Sequence, residues 1–285
     1  MASVAAVFRR NSLADASSIF ARNRAHGLID LSVGADPSGR TRRNKVAEAG
    51  SLRVRLPDPS GLDCEAVILN TAGGIAGGDD FSISVAAAAQ SRLTVTTAAA
   101  EKVYRAMDTA SRVAVRLSIA AGASLRWLPQ ETILFDGAKL NRSIEVDVVD
   151  ESALLLVEST IFGRSAMGET VRGGELADRW RIRRNGTLVF ADTLRLSGDI
   201  SALLARPAAG AGATAFATVV VAPAEESLAA TMRECLDRCS CECGVSAWNG
   251  IAVVRLCAGD AALLRRDLIS VLRQLGGPLP RLWMS

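Results

Sequence analysis

From about residue 50 to residue 195, apolar and polar side chains alternate with a period of two, in one short segment after another. That period sends successive side chains to opposite faces of a strand. Leu52, Val54 and Leu56 oppose Arg53 and Arg55, and Leu93 and Val95 oppose Thr94 and Thr96. Val113, Val115, Leu117 and Ile119 form one face, as do Ile144, Val146 and Val148, whereas Trp180 and Ile182 alternate with Arg179, Arg181 and Arg183. An apolar run fills the stretch from Glu65 to Asn70, and Asn185-Gly186 marks a hairpin turn into Leu188 and Phe190. Strands this frequent, without helices between them, imply a mainly β body paired antiparallel or in stacked sheets, not a doubly wound sheet.

After residue 204 the pattern changes. An Ala/Gly-rich span precedes a strand at Thr218 to Ala222, and Pro223 opens a helix whose Leu228, Met232 and Leu236 share a face. A strand near Ile251 to Leu256 leads to a second helix from Asp260, with Leu264, Leu268, Val271, Leu272 and Leu275, stopped by Gly276 and Gly277. The organisation expected is a flexible extension over 1–27 and one domain over 28–285. Within that domain, 28–204 is the β-rich body and 205–285 an α+β tail packed on it.

With 285 residues, 49% of them hydrophobic, the chain can bury a large core. A net charge of +3, from 33 basic and 30 acidic residues, argues against a nucleic-acid partner, and 4% aromatics leaves few stacking platforms. No apolar run reaches the roughly 18 residues of a membrane span. Residues 1–27 are rich in Ala, Ser and Arg, like a weak transit peptide, but lack the apolar core of a secretory signal. The location expected is cytoplasmic, with reduced thiols. Of six cysteines, Cys235, Cys239, Cys241, Cys243 and Cys257 lie near the end. Cys235 and Cys239 suit a helix face and Cys239, Cys241 and Cys243 a strand face, which does not match zinc-knuckle spacing; buried free thiols are the expectation.

The stretch Asn70-Thr71-Ala72-Gly73-Gly74-Ile75-Ala76-Gly77-Gly78-Asp79-Asp80 looks like a phosphate loop but lacks its lysine and its helix. Phe81, Ile83 and Val85 alternate as a strand instead, and the glycines miss the dinucleotide register. A tight connection using positive φ or close backbone approach is expected.

Gly163 to Gly168 misses the serine-nucleophile elbow by one residue, and the single histidine is His26. Paired carboxylates such as Glu131 with Asp136, or Glu158 with Glu169, carry little specificity among 30 acids. Three polar-studded strand segments are more informative: Thr96 to Arg105, with the only tyrosine, Tyr104; Leu128 to Gly137; and Phe162 to Glu169. Inside a β body such residues line a polar channel or make buried ion pairs.

In this order, from Gly39-Arg40-Thr41 to Pro280-Arg281-Leu282-Trp283, these segments resemble the urease accessory protein family UreD, called UreH in some organisms. The likeness is densest between Glu65 and Glu169. It departs at Ala98, where the family is expected to prefer glutamine, and the cysteine cluster is peculiar to this chain. The resemblance implies stacked, β-helix-like two-layer sheets and a non-catalytic scaffold with no permanently bound cofactor. Its implied partners are a UreF-like protein, through it a UreG-like GTPase, and apo-urease, with nickel(II) passing through an internal tunnel. Hydrated nickel would move along weakly binding carboxylates, which singles out Asp79, Glu101, Glu131, Glu158 and Glu169, with Arg142, Arg164 and Tyr104 supporting them. The glycine run would then turn Asp79 or Asp80 toward that path. The competing readings are a β-rich hydrolase using Glu131 and Glu158, and a protein-interaction module unrelated to nickel.

Overall fold

The computed structural model describes residues 24–57, 61–164 and 167–284. Among them, seven strands form one sheet in the order β14-β13-β11-β8-β5-β1-β2. These are β1 (His26–Ala35), β2 (Thr41–Gly50), β5 (Asp80–Ala87), β8 (Ser111–Ile119), β11 (Lys139–Val148), β13 (Glu175–Arg184) and β14 (Thr187–Ser197). A ten-stranded sheet contains β3 (Leu52–Arg55), β4 (Cys64–Asn70), β6 (Arg92–Thr97), β9 (Ser124–Leu128), β12 (Ala153–Phe162), β15 (Ala215–Ala222), β16 (Glu242–Trp248) and β17 (Ile251–Ala258). Short β7 (Glu101–Val103) and β10 (Thr132–Leu134) pair in parallel at its side, with β10 also pairing β12.

From β4 to β13 the chain winds repeatedly between the two sheets, so consecutive strands of one sheet are neighbours in parallel. β1, β5, β8, β11 and β13 run parallel in one sheet, and β4, β6, β9 and β12 in the other. A parallel pair needs a long crossover. Here the crossover is a strand of the opposite sheet rather than a helix, which gives the stacked, β-helix-like coil. Antiparallel pairing is confined to the two ends, as at β1–β2, β13–β14 and the β12–β15–β17–β16 run.

Two cores result. Between the sheets lie Leu31, Ile83, Leu117, Ile144 and Ile182 from one side and Ile68, Val95, Leu125 and Leu156 from the other, all buried. The opposite face of the ten-stranded sheet packs on α2 (Glu226–Leu236) and α3 (Ala261–Gln274) through Val157, Val219 and Val254 against Met232, Leu268 and Val271. Strands buried on both faces lose alternation, which explains the apolar runs at 154–157 and 219–222. α3 starts where expected, with Asp260 Oδ1 accepting the Leu263 N–H at 2.8 Å. α2 begins at Glu226 and not at Pro223, and a short helix not expected from sequence, α1 (Ile200–Leu204), lies ahead of residue 205. Asn185 and Gly186 both have positive φ, 48° and 79°, as a two-residue hairpin turn between twisted strands requires.

The expected extension over 1–27 falls largely on residues 1–23, which lie outside the described residues; His26 and Gly27 already belong to β1. No described helix is long and apolar enough to cross a membrane.

Candidate functional site

Alternation puts one charged residue in the core phase of each of two adjacent strands. On β11 the inward series Leu140, Ile144, Val146 includes Arg142, and on β13 the series Leu176, Trp180, Ile182 includes Asp178. Parallel register sets Arg142 beside Asp178. Arg142 donates from Nε to Asp178 Oδ1 at 3.0 Å and from Nη2 to Oδ2 at 2.6 Å. Across the sandwich its Nη1 pairs with Glu158 of β12 and donates to Thr132 Oγ1 at 3.2 Å. The second Glu158 oxygen, Oε1, accepts from Trp127 Nε1 at 2.9 Å.

One guanidinium thus serves two carboxyl groups between two apolar sheets, with Arg142 5% and Glu158 6% exposed. Removing such ions from water costs several kcal/mol each unless every donor and acceptor is met, as most are here. Burial opposes charge on Arg142, but Asp178 and then Glu158 outweigh it and raise its pKa further. Burial raises the pKa of Glu158 above the ordinary carboxyl range, against the pull of Arg142.

Two small cavities meet at this cluster, both lined by Arg142 and Glu158. One, of about 70 Å³, extends past Trp127, Gln130 and Thr132 to Glu101. The other, of about 50 Å³, reaches Asp178, Thr218 and Asp192, and Asp192 meets Arg255 near the surface at 2.6 Å. Glu101, on β7, is pushed up to about 7, chiefly by burial, opposed by the Asn70 Nδ2 hydrogen bond at 3.1 Å and reinforced by Asp79.

The residues singled out from sequence fall into separate places. Glu101, Glu158 and Arg142 line one cavity. Asp79 is buried but committed to the backbone, accepting from Ala25 N at 2.8 Å and Ala76 N at 2.7 Å. It ties the glycine connection to the start of β1, and Asp80 pairs outward with Arg112 at 2.6 Å. Neither acid is turned toward the cavity, because two N–H groups or a guanidinium hold each one. Glu131 faces α3, where Arg265 Nη1 reaches it at 2.6 Å and also donates to Gln130 Oε1. Glu169 and Arg164 form a two-bond pair, at 2.9 and 3.0 Å, in an open groove beside Tyr104. Glu131 and Glu158 therefore do not converge as a hydrolase pair: the first points to α3, the second into the sandwich.

The glycine connection behaves as expected of a tight turn. Gly74, at φ +148°, leaves room for Tyr104, and a Cβ on Gly77 would stand 2.5 Å from the Ala106 Cβ and 2.8 Å from the Thr109 carbonyl oxygen. Sequence reasoning missed Asp178, Trp127 and Thr132. The signal available for Asp178 was its phase, two residues before Trp180 on the inward face.

Among the described residues no three His, Cys, Asp or Glu side chains form a group that could hold a metal ion. The helix α2, which carries Cys235, ends at Leu236, and β16, which carries Cys243, begins at Glu242, with Cys239 and Cys241 in the connection between them. Burial pushes the Cys239 thiol up to about 11 and Cys241 up to about 12.

A family model described as UreD urease accessory protein matches residues 25–284. The chain is 53% identical over 270 residues to the urease accessory protein UreD of Rhodopseudomonas palustris strain HaA2, covering 94% of this chain and 96% of the relative. It is 50% identical over 276 residues to the protein of the same name from Bradyrhizobium diazoefficiens, covering 97% and 100%.

Proposed function

This chain belongs to the UreD family of urease accessory proteins, and from that premise we propose that it acts in urease maturation as a non-catalytic scaffold. In this reading it binds a UreF-like protein, through it a UreG-like GTPase, and apo-urease, and it passes nickel(II) through its interior in the cytoplasm. The route proposed runs from Glu101 past Glu158 and Asp178 to Asp192. The observation that carries it is the meeting of two cavities at Arg142 and Glu158, where Glu101, Thr132 and Gln130 on one side and Asp178, Asp192 and Thr218 on the other interrupt a mainly apolar interior.

The chemistry suits cargo rather than a resident ion. Carboxylates that do not gather three around one point bind a hard, hydrated dication weakly enough to hand it on, whereas a thiolate cage would retain it. Arg142 supports the route by holding Glu158 and Asp178 in fixed geometry. It also sets a positive charge that keeps a dication from settling between them. Asp79, Glu131 and Glu169 line neither of the two cavities, fall outside this route and serve the scaffold.

The test is nickel content per urease active site in cells carrying Glu158→Gln or Glu101→Gln, with co-purification of the partner chains measured in parallel. A several-fold fall in nickel with the complex intact is expected. Normal nickel content in both variants, with the complex intact, removes these residues from the route.

A further inference from the structure

β7 and β10 run side by side out of the interior, and the residues that follow them form the floor of an open groove of about 550 Å³ on the surface. Tyr104 follows β7 directly and Phe135 follows β10, and their rings meet edge to face at 5.2 Å. Tyr104 is fixed by its hydroxyl, which donates to the Gly73 carbonyl at 2.9 Å. The Arg164 guanidinium lies 4.2 Å from the centre of the Phe135 ring. The centre of the groove is therefore a rigid aromatic shelf with a stacked arginine, the kind of surface that anchors a partner's apolar side chain.

Charge around the shelf is unbalanced. Arg105 pairs with Asp136 at 2.9 Å and Arg164 with Glu169, but the Arg172 guanidinium has no carboxylate partner among the described residues. Asp136 is held below its usual pKa by the Gly173 N–H, reinforced by the Arg172 N–H and Arg105, and Glu169 is held low by Arg164. Both acids thus stay ionised, and three guanidiniums against two carboxylates leave one positive charge in excess. The two most exposed large apolar side chains described, Met107 at 83% and Met167 at 73%, follow Arg105 and Arg164 closely in the chain. Methionines this bare recur on protein-docking surfaces.

We infer that this groove binds an extended polypeptide segment of a partner protein, seating an apolar side chain on Tyr104 and Phe135 and a neighbouring carboxylate on Arg172. The two fixed acids in the floor disfavour a polyphosphate backbone, which would bring several closely spaced negative charges against them. A peptide can place a single carboxylate at Arg172 and avoid both.

The experiment measures binding of a fluorescent peptide of alternating leucine and glutamate to the full chain, with the glutamine counterpart and heparin as competitors. Arg172 is exposed, so Arg172→Glu leaves the fold intact, and Arg195→Glu on β14 changes the same charge elsewhere. The acidic peptide is expected to bind, with Arg172→Glu weakening it by at least about tenfold, Arg172→Lys by much less and Arg195→Glu not at all. No binding of the acidic peptide, equal binding of the glutamine peptide, or equal loss in Arg195→Glu overturns the inference. Displacement by heparin that depends on Arg172 equally overturns it, in favour of a polyanion site.

Discussion

Arg142 and Asp178 sit at matched positions on neighbouring parallel strands and join through two hydrogen bonds, 3.0 and 2.6 Å long, in the middle of an apolar sandwich. The same guanidinium crosses to Glu158 on the opposite sheet. A single cation therefore fastens the two layers together, and the surrounding stability should depend on it.

Replacing Arg142 by Met leaves two carboxyl groups buried without a counter-charge. A loss of about 3–5 kcal/mol is expected in urea denaturation at neutral pH, shrinking as the pH falls and the carboxyls take up protons. Replacing Arg142, Glu158 and Asp178 together by apolar residues of similar volume should recover much of that loss. If Arg142→Met alone is neutral, the cluster does not hold the sheets.

Glu101 predicts a pH dependence with a definite sign. Its folded pKa of about 7 lies above the ordinary value of 4.5, so between those values the folded chain binds the proton more tightly than the unfolded chain. Its contribution to stability is present at low pH and is lost as pH rises through the window from 4.5 to 7. Glu101→Gln, which keeps the Asn70 contact possible, should gain about 2 kcal/mol relative to wild type between pH 5 and pH 8. Parallel stability curves for the two proteins would contradict the burial of this carboxyl.

The end of the chain is a structural element. Trp283 is buried and donates from Nε1 to the Leu128 carbonyl at 3.0 Å, its own carbonyl accepts from Arg265, and the Arg265 guanidinium lies 5.3 Å from its ring centre. Trp283→Ala should destabilise by about 3–5 kcal/mol through the cavity and the lost hydrogen bond. Arg265→Ala should cost less but also expose the Gln130–Glu131 segment, readable as faster amide exchange there.

Gly77→Ala and Gly173→Ala form a matched pair. At Gly77 the added methyl meets the Ala106 Cβ and a backbone oxygen within 3 Å, whereas at Gly173 nothing lies within 4 Å. The first should destabilise by about 1–3 kcal/mol and the second be close to neutral in thermal melts. Equal effects would mean that the connection near residue 77 can move away from Ala106.

Much of the body was legible because a half-buried strand writes its orientation into every second residue. The inward faces of β8, β11 and β13, the Asn185-Gly186 hairpin and the α3 cap at Asp260 all follow from local chemistry. α1 was not legible: five residues make one turn and a half, too few for a helical period to stand out. The split of the five acids was also hidden. Glu131 and Thr132 are adjacent in sequence, yet one faces α3 and the other the sandwich interior, as strand alternation demands.

The sequence by itself determined a mainly β body with an α+β end, and that polar residues stand where apolar ones would be expected; alternation left antiparallel pairing and stacked sheets open, and stacked layers were implied only by the family resemblance. It also determined the family, through motifs spread along most of the chain. Tertiary structure alone decided which carboxyl meets which arginine. Parallel register set Arg142 beside Asp178, 36 residues away, and the coil between sheets brought Glu158 to the same guanidinium. Alternation fixes the face a side chain takes, but not the strand it will find there; pairing partners are set by how successive coils stack, which no local window of residues contains.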